Sequence, residues 1–169
     1  MFQPTSAEVP YSMRQRLVLA FTILLIGFLG LAGYVLERAY ERSVAAAVAE
    51  RLQLQVYALL GVAEPEDRRF LLPDLEEARF NQPNSGLYGF IFDDEGREWW
   101  HSPSADTLNF NSNVAINSKQ LLGRTLYEEV TIPEYGTLAL ASYHTRWEAL
   151  GKDFHVVVME STAPTEAQI

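Results

Sequence analysis

At 169 residues, with a formal net charge of −9 and no cysteine, the chain has room for one ordinary domain plus a membrane segment. The missing cysteines exclude disulfides, thiolate metal sites and cysteine nucleophiles. The acidity falls on residues 37–169, where 11 Lys and Arg stand against 21 Asp and Glu for a net −10; such a surface repels phosphate backbones and argues against nucleic-acid partners.

Leu17 to Leu36 is a run of twenty residues without a charge. At the helical rise of about 1.5 Å per residue it spans the roughly 30 Å hydrocarbon core of a bilayer, so membrane lipid is its expected surrounding. Arg14 and Arg16 precede it, whereas the far flank is mixed (Glu37, Arg38, Glu41, Arg42). The positive-inside rule then places residues 1–16 in the cytoplasm and the bulk of the chain on the far side, in a bacterium the periplasm. A cleavable signal peptide competes for the same residues, with Gly30-Leu31-Ala32 as its small-x-small site. The apolar run exceeds the usual h-region of roughly 7–15 residues, and the helical pattern continues past the cut.

From Glu37 to about Leu60 there is no Pro or Gly until Gly61, and Ala, Leu, Glu, Arg and Gln dominate. This predicts that the membrane helix continues beyond the bilayer. Tyr40, Val44, Ala47 or Val48, Arg51 or Leu52, Gln55 and Leu59 recur near the helical period, giving one apolar face for packing on the chain's own domain or on a second copy. Tyr40, Val44 and Val48 are the transmission candidates on it. Gly61 and Pro65 supply the stop.

Residues 62–86 read as an irregular connection rich in turn formers. It carries two acidic groups, Glu64, Glu66 and Asp67, then Asp74, Glu76 and Glu77. These are the candidate ligands for a divalent cation or a cationic molecule, since a hard cation needs several converging oxygens; the competing reading is plain solubility and turn chemistry. Leu87 to Asp93 and Arg97 to Ser102 form a β-hairpin around Asp94-Glu95-Gly96. Trp99 and Trp100 should then point to opposite faces, leaving one of them, with Tyr88, as a contact or pocket-wall candidate. Arg124 to Ile132, Thr137 to Trp147 and Lys152 to Glu160 read as three more strands, the last apolar on both faces. A long helix followed by about five antiparallel strands in meander order predicts an α+β domain with helix and loops on one sheet face.

Catalytic signatures are missing. His101, His144 and His155 lie on three separate strands without an HExxH spacing, and neither a phosphate-binding glycine loop nor a Gly-x-Ser-x-Gly elbow occurs. No catalytic or cofactor-binding residue is expected in this chain.

Several stretches have a familiar look: Arg14-Gln15-Arg16, the helix opening Glu37-Arg38-Ala39-Tyr40, the run Ala78 to Tyr88 (ARFNQPNSGLY) and Trp100 to Ala105 (WHSPSA). Together they resemble the input half of proteobacterial PhoQ-like two-component sensor histidine kinases. The resemblance implies residues 17–36 as a first membrane helix, residues 37–160 as a periplasmic PAS-like sensor domain, and residues 161–169 as the approach to a second membrane helix. It also implies a homodimer, a periplasmic ligand of unknown identity, and a cognate response regulator reached through a kinase half, with its ATP and Mg²⁺, outside this sequence. Familiar members sense divalent cations through a dense acidic run, which here is sparser. The expected function is extracytoplasmic sensing and transmembrane transduction; the rivals are the input domain of another receptor class, a membrane-anchored envelope assembly protein and a small secreted enzyme.

Overall fold

The computed structural model describes residues 12–66, 69–72, 75–116 and 121–162. The chain divides into two units, Met1–Ala45 and Ala46–Ile169. The described part of the first is helical from Met13, and every residue of it is exposed, Phe21, Ile26 and Leu29 among them. This stretch is long and apolar enough to cross a membrane, with none of its apolar window buried by protein. Side chains of that kind are stable in lipid and not in water.

One hydrogen-bonded helix, α1, runs Met13–Val62, as the absence of Pro and Gly between Glu37 and Leu60 predicts. In the second unit its residues separate into two sides. Leu52, Val56 and Leu59 are buried and Val48 packs beside them, whereas Ala47, Arg51, Leu54, Ala58 and Gly61 stay exposed. The stripe read from the sequence therefore holds parts of two faces, and only Val48, Leu52 and Leu59 of it serve the domain's core.

After α1 come a two-stranded hairpin, β1 (Glu64–Glu66) and β2 (Arg69–Leu71), and a 3-10 turn, Ala78–Asn81. The main sheet consists of β3 (Leu87–Asp93), β4 (Glu98–His101), β5 (Thr125–Ile132), β6 (Gly136–Trp147) and β7 (Lys152–Ser161), with a short helix α2 (Ser112–Ala115) between β4 and β5. Its architecture is the expected α+β one with five antiparallel strands, and its order is β4-β3-β7-β6-β5. The meander expected from the sequence is corrected here: the last strand lies at the centre, between the first hairpin and β6. The burial on β7 explains why. Phe154, Val156 and Val158 face one core, Val157 and Met159 the other, and only a central strand offers apolar neighbours on both faces.

The first core lies under Leu52, Val56 and Leu59 of α1, with Phe70 from β2 and Phe80 from the 3-10 turn. The second holds Tyr88, Phe90, Phe92, Leu138 and Leu140 and is covered by Leu108, Phe110, Ile116 and Tyr135. The 62–86 segment is thus less irregular than its composition suggests, because it delivers two phenylalanines to the helix-covered face.

At Gly89 the close approach is quantitative. A Cβ there would meet Leu59 Cδ1, Phe80 Cε1 and Trp100 Cζ3, each at 3.1 Å. Gly89→Ala is expected to destabilise the chain by about 1–3 kcal/mol through overpacking, read as a lowered denaturation midpoint of the chain reconstituted in nanodiscs.

Candidate functional site

Glu160, the penultimate residue of β7, is a carboxylate only 5% exposed, and burying a charge is costly unless it is paired and hydrogen-bonded. Two arginines from different elements meet it. Arg51 of α1 places both Nε and Nη2 2.8 Å from Oε2, and Arg79 of the 3-10 turn places Nη1 2.8 Å from Oε1. Arg79 is itself locked: its backbone N–H donates to Glu77 Oε1, its carbonyl accepts from Ser85 Oγ at 2.5 Å, and its Nη2 reaches the Ser85 carbonyl. Ser161 N–H donates to the carbonyl of Gly86 at 2.7 Å, and Thr162 donates through both N–H and Oγ1 to that of Thr137. Helix, turn, β3, β6 and the end of β7 thus converge within a few residues. Neither arginine stood out in the sequence, since each lies in a charge-mixed helical or turn context and the partner is 81 to 109 residues away.

Among the aromatic candidates, Trp99 and Trp100 both pack on the helix-side core, which corrects the expected alternation. The cause is a register shift: Ile91 pairs with Trp100 but Phe92 with Glu98, so Trp99 is the extra residue of a bulge and turns to the same face as its neighbour. Trp99 stands 5.0 Å from Phe154 and 5.9 Å from Phe70, ring centre to ring centre, and its indole N–H donates to Asp93 Oδ2 at 3.1 Å. Asp93 is fully buried and also accepts from the N–H groups of Glu95 and Arg97 and from Arg97 Nε. Burial alone would raise its pKa, but these donors outweigh that cost and hold it below the ordinary carboxylate value. Tyr88 is buried in the second core, edge-on to Tyr135.

Glu64 and Glu66 are exposed on β1, Glu76 is exposed and Glu77 caps the 3-10 turn; Asp67 and Asp74 lie outside the described residues. Among the described residues no group of three His, Asp or Glu side chains converges as a metal site would require. An open groove of about 590 Å³ lies between the last turns of α1 and the segment 75–80, bordered by Leu54, Tyr57, Gly61, Glu76 and Glu77. Of the transmission candidates, Tyr40 and Val44 are exposed and Val48 packs on the core.

The three histidines divide into two environments. His101 bridges Glu98, 2.6 Å from Nδ1, and Asp106, 3.0 Å from Nε2; burial lowers its pKa, and the two carboxylates more than offset that and leave it raised. His144 and His155 are cross-strand neighbours with rings stacked 4.3 Å apart. Burial, and then His144, push His155 down to about 4 against the weaker pull of Asp94 and Asp153.

Compared with known proteins, the chain is similar to the two-component sensor PhoQ of Pseudomonas aeruginosa, with 31% identity over 101 residues. That match covers 59% of this chain and 22% of the relative, so the chain corresponds to a minor part of that protein's length. No family model matches the chain, and no solved structure matches it.

The depressed pKa of His155 makes stability pH-dependent with a definite sign. A group whose folded pKa is depressed contributes its stability in full above the unfolded value of 6.5 and loses it as pH falls toward about 4. Between these limits the loss is about 1.4 kcal/mol per pH unit. His101 has the opposite sign, favouring the folded state below 6.5 and fading as pH rises through its raised pKa. Denaturation midpoints from pH 7.5 to 4.5 should therefore show a decline in the parent chain that His155→Phe removes; parallel profiles would refute it.

Proposed function

We propose that this chain is the sensory input region of a membrane-bound two-component sensor histidine kinase, with a PAS-like domain on the periplasmic side and residues 1–16 in the cytoplasm. The observation that carries the reading is the continuity of α1. A helix apolar enough to cross a membrane continues without a break to Val62, and its last turns supply Leu52, Val56 and Leu59 to the core of a sheet domain. A displacement at the domain then has a stiff element through which to act. The similarity to a two-component sensor over 101 residues supports the same class. ATP, Mg²⁺ and the response regulator belong, in this reading, to a kinase half outside the sequence, and the stimulus is an unidentified periplasmic ligand.

Dimerisation is part of the proposal. Tyr40, Val44, Ala47, Leu54, Ala58 and Gly61 follow one another at spacings of four, three, seven, four and three, the repeat of a two-helix seam, with Arg51 at the skipped position turned to Glu160. All are exposed, Leu54 at 63% and Tyr40 at 71%. A second copy of the same helix would cover them while Leu52, Val56 and Leu59 stay with the domain's core.

Reading the gene past codon 169 tests the class: a second apolar span followed by a phospho-accepting histidine helix and ATP-binding boxes is expected, and a stop codon there would favour an envelope assembly protein instead. The seam has its own test, made clean by the absence of native cysteine. Single cysteines at Leu54 or Ala58 should give oxidised dimers in membranes, and a cysteine at the exposed Glu128 should not; equal yields at all three sites would exclude the seam.

A further inference from the structure

We propose that Arg51 and Glu160 couple α1 to the C-terminal end of β7, with Arg51 as the releasable arm of a three-way clamp and Arg79 as its fixed arm. The contact stands on its own; only its meaning for signalling rests on the sensory reading above.

The asymmetry follows from charge and anchoring. Two guanidinium groups share one carboxylate, so withdrawing Arg51 leaves Glu160 and Arg79 as a balanced pair, and no buried charge is stranded. Withdrawing Glu160 leaves two cations facing each other. Withdrawing Arg79 also dismantles the turn around Ser85, whose hydroxyl accepts from the Leu87 N–H at the start of β3. The Arg51 side chain is 57% exposed and the Arg79 side chain 39%, and among the described residues Glu160 alone holds the Arg51 guanidinium. Its two nitrogens grip a single oxygen, Oε2, a geometry with directional demands. The remainder of the helix–sheet contact is mainly the apolar set Leu52, Val56 and Leu59, which is non-directional, with Tyr127 donating to Gln53 Oε1 at 3.1 Å as a second polar link, to β5. A small rotation or slide of α1 that apolar packing tolerates would break the Arg51 grip first. The residues loosened next are Ser161 and Thr162, whose amides are held by the carbonyls of Gly86 and Thr137.

Hydrogen–deuterium exchange of the full chain in nanodiscs tests this directly. Arg51→Gln should speed exchange of the Ser161 and Thr162 amides about tenfold, the order expected for losing one charge-assisted contact, and leave the β5–β6 hairpin unchanged. Arg51→Lys, which keeps the charge but not the two-nitrogen grip, should fall between. Gln53→Ala, which removes the other polar link, should leave residues 161–162 as they are. Unchanged exchange at those amides in Arg51→Gln, or a uniform rise across the whole sheet, overturns the coupling. If Glu160→Gln fails to fold, the Arg51 series still decides. In the longer receptor, a local exchange change without altered phosphorylation output would count against the sensory reading and leave the clamp intact.

Discussion

Everything in the second unit depends on β7 being apolar on both faces. A strand that carries Phe154, Val156 and Val158 on one side and Val157 and Met159 on the other, each fully buried, is stable only where cores exist above and below it. That requirement places the last strand at the middle of the sheet, pairs it with β3 on one side and β6 on the other, and leaves β4 and β5 as edges. It also decides what covers the sheet. One side takes the helix with Phe70 and Phe80 from the connecting segment, and the other takes the loops around Leu108, Phe110 and Ile116. The polar end of the same strand then has to be paired, which is where Glu160 meets its two arginines.

Much of this was legible in the sequence. Twenty uncharged residues and a breaker-free continuation gave the helix nearly to its last turn. Turn residues and β-rich runs located all five main strands within a residue or two, and the two-faced pattern of β7 was readable as such. The strand order was not, because alternation and turn position say which residues pair locally but nothing about which hairpins meet. The bulge at Trp99 was equally silent. An extra residue shows in a register only when its partner strand is known, and it changed two tryptophans from opposite faces to one. The short β1–β2 hairpin was hidden by composition, since Glu64, Pro65 and Glu66 have low strand preference and are held by the packing of Phe70 instead.

The buried ion pairs were less legible than the fold, for a physical reason. Acidic residues attract notice in a sequence because they cluster; among the described ones, Glu64, Glu66 and Glu76 are exposed and Glu77 caps the 3-10 turn. The carboxylates placed in more demanding surroundings are Asp93 and Glu160. Asp93 serves a turn, and its tight set of donors follows from a hairpin that must bury the residue next to the bulge. Glu160 is isolated in the sequence, and its partners come from distant positions. A buried charge earns its place only through partners brought by the fold, so local patterning does not reveal it.

The central position of the final strand also sets a timetable. Leu87 pairs with Glu160 and Asp93 with Phe154, so β3 and β4 emerge during synthesis as a hairpin that lacks the neighbour on which its apolar faces depend. Contacts of such large sequence separation form late and slowly. Until residues as far as Ser161 are available, Phe90, Ile91 and Phe92 stay open to water or to other chains, and an isolated hairpin is at best marginally stable. A chain shortened within β7 would therefore lose the whole sheet rather than one edge of it, and the interval before β7 arrives is the period in which a holding chaperone would matter most.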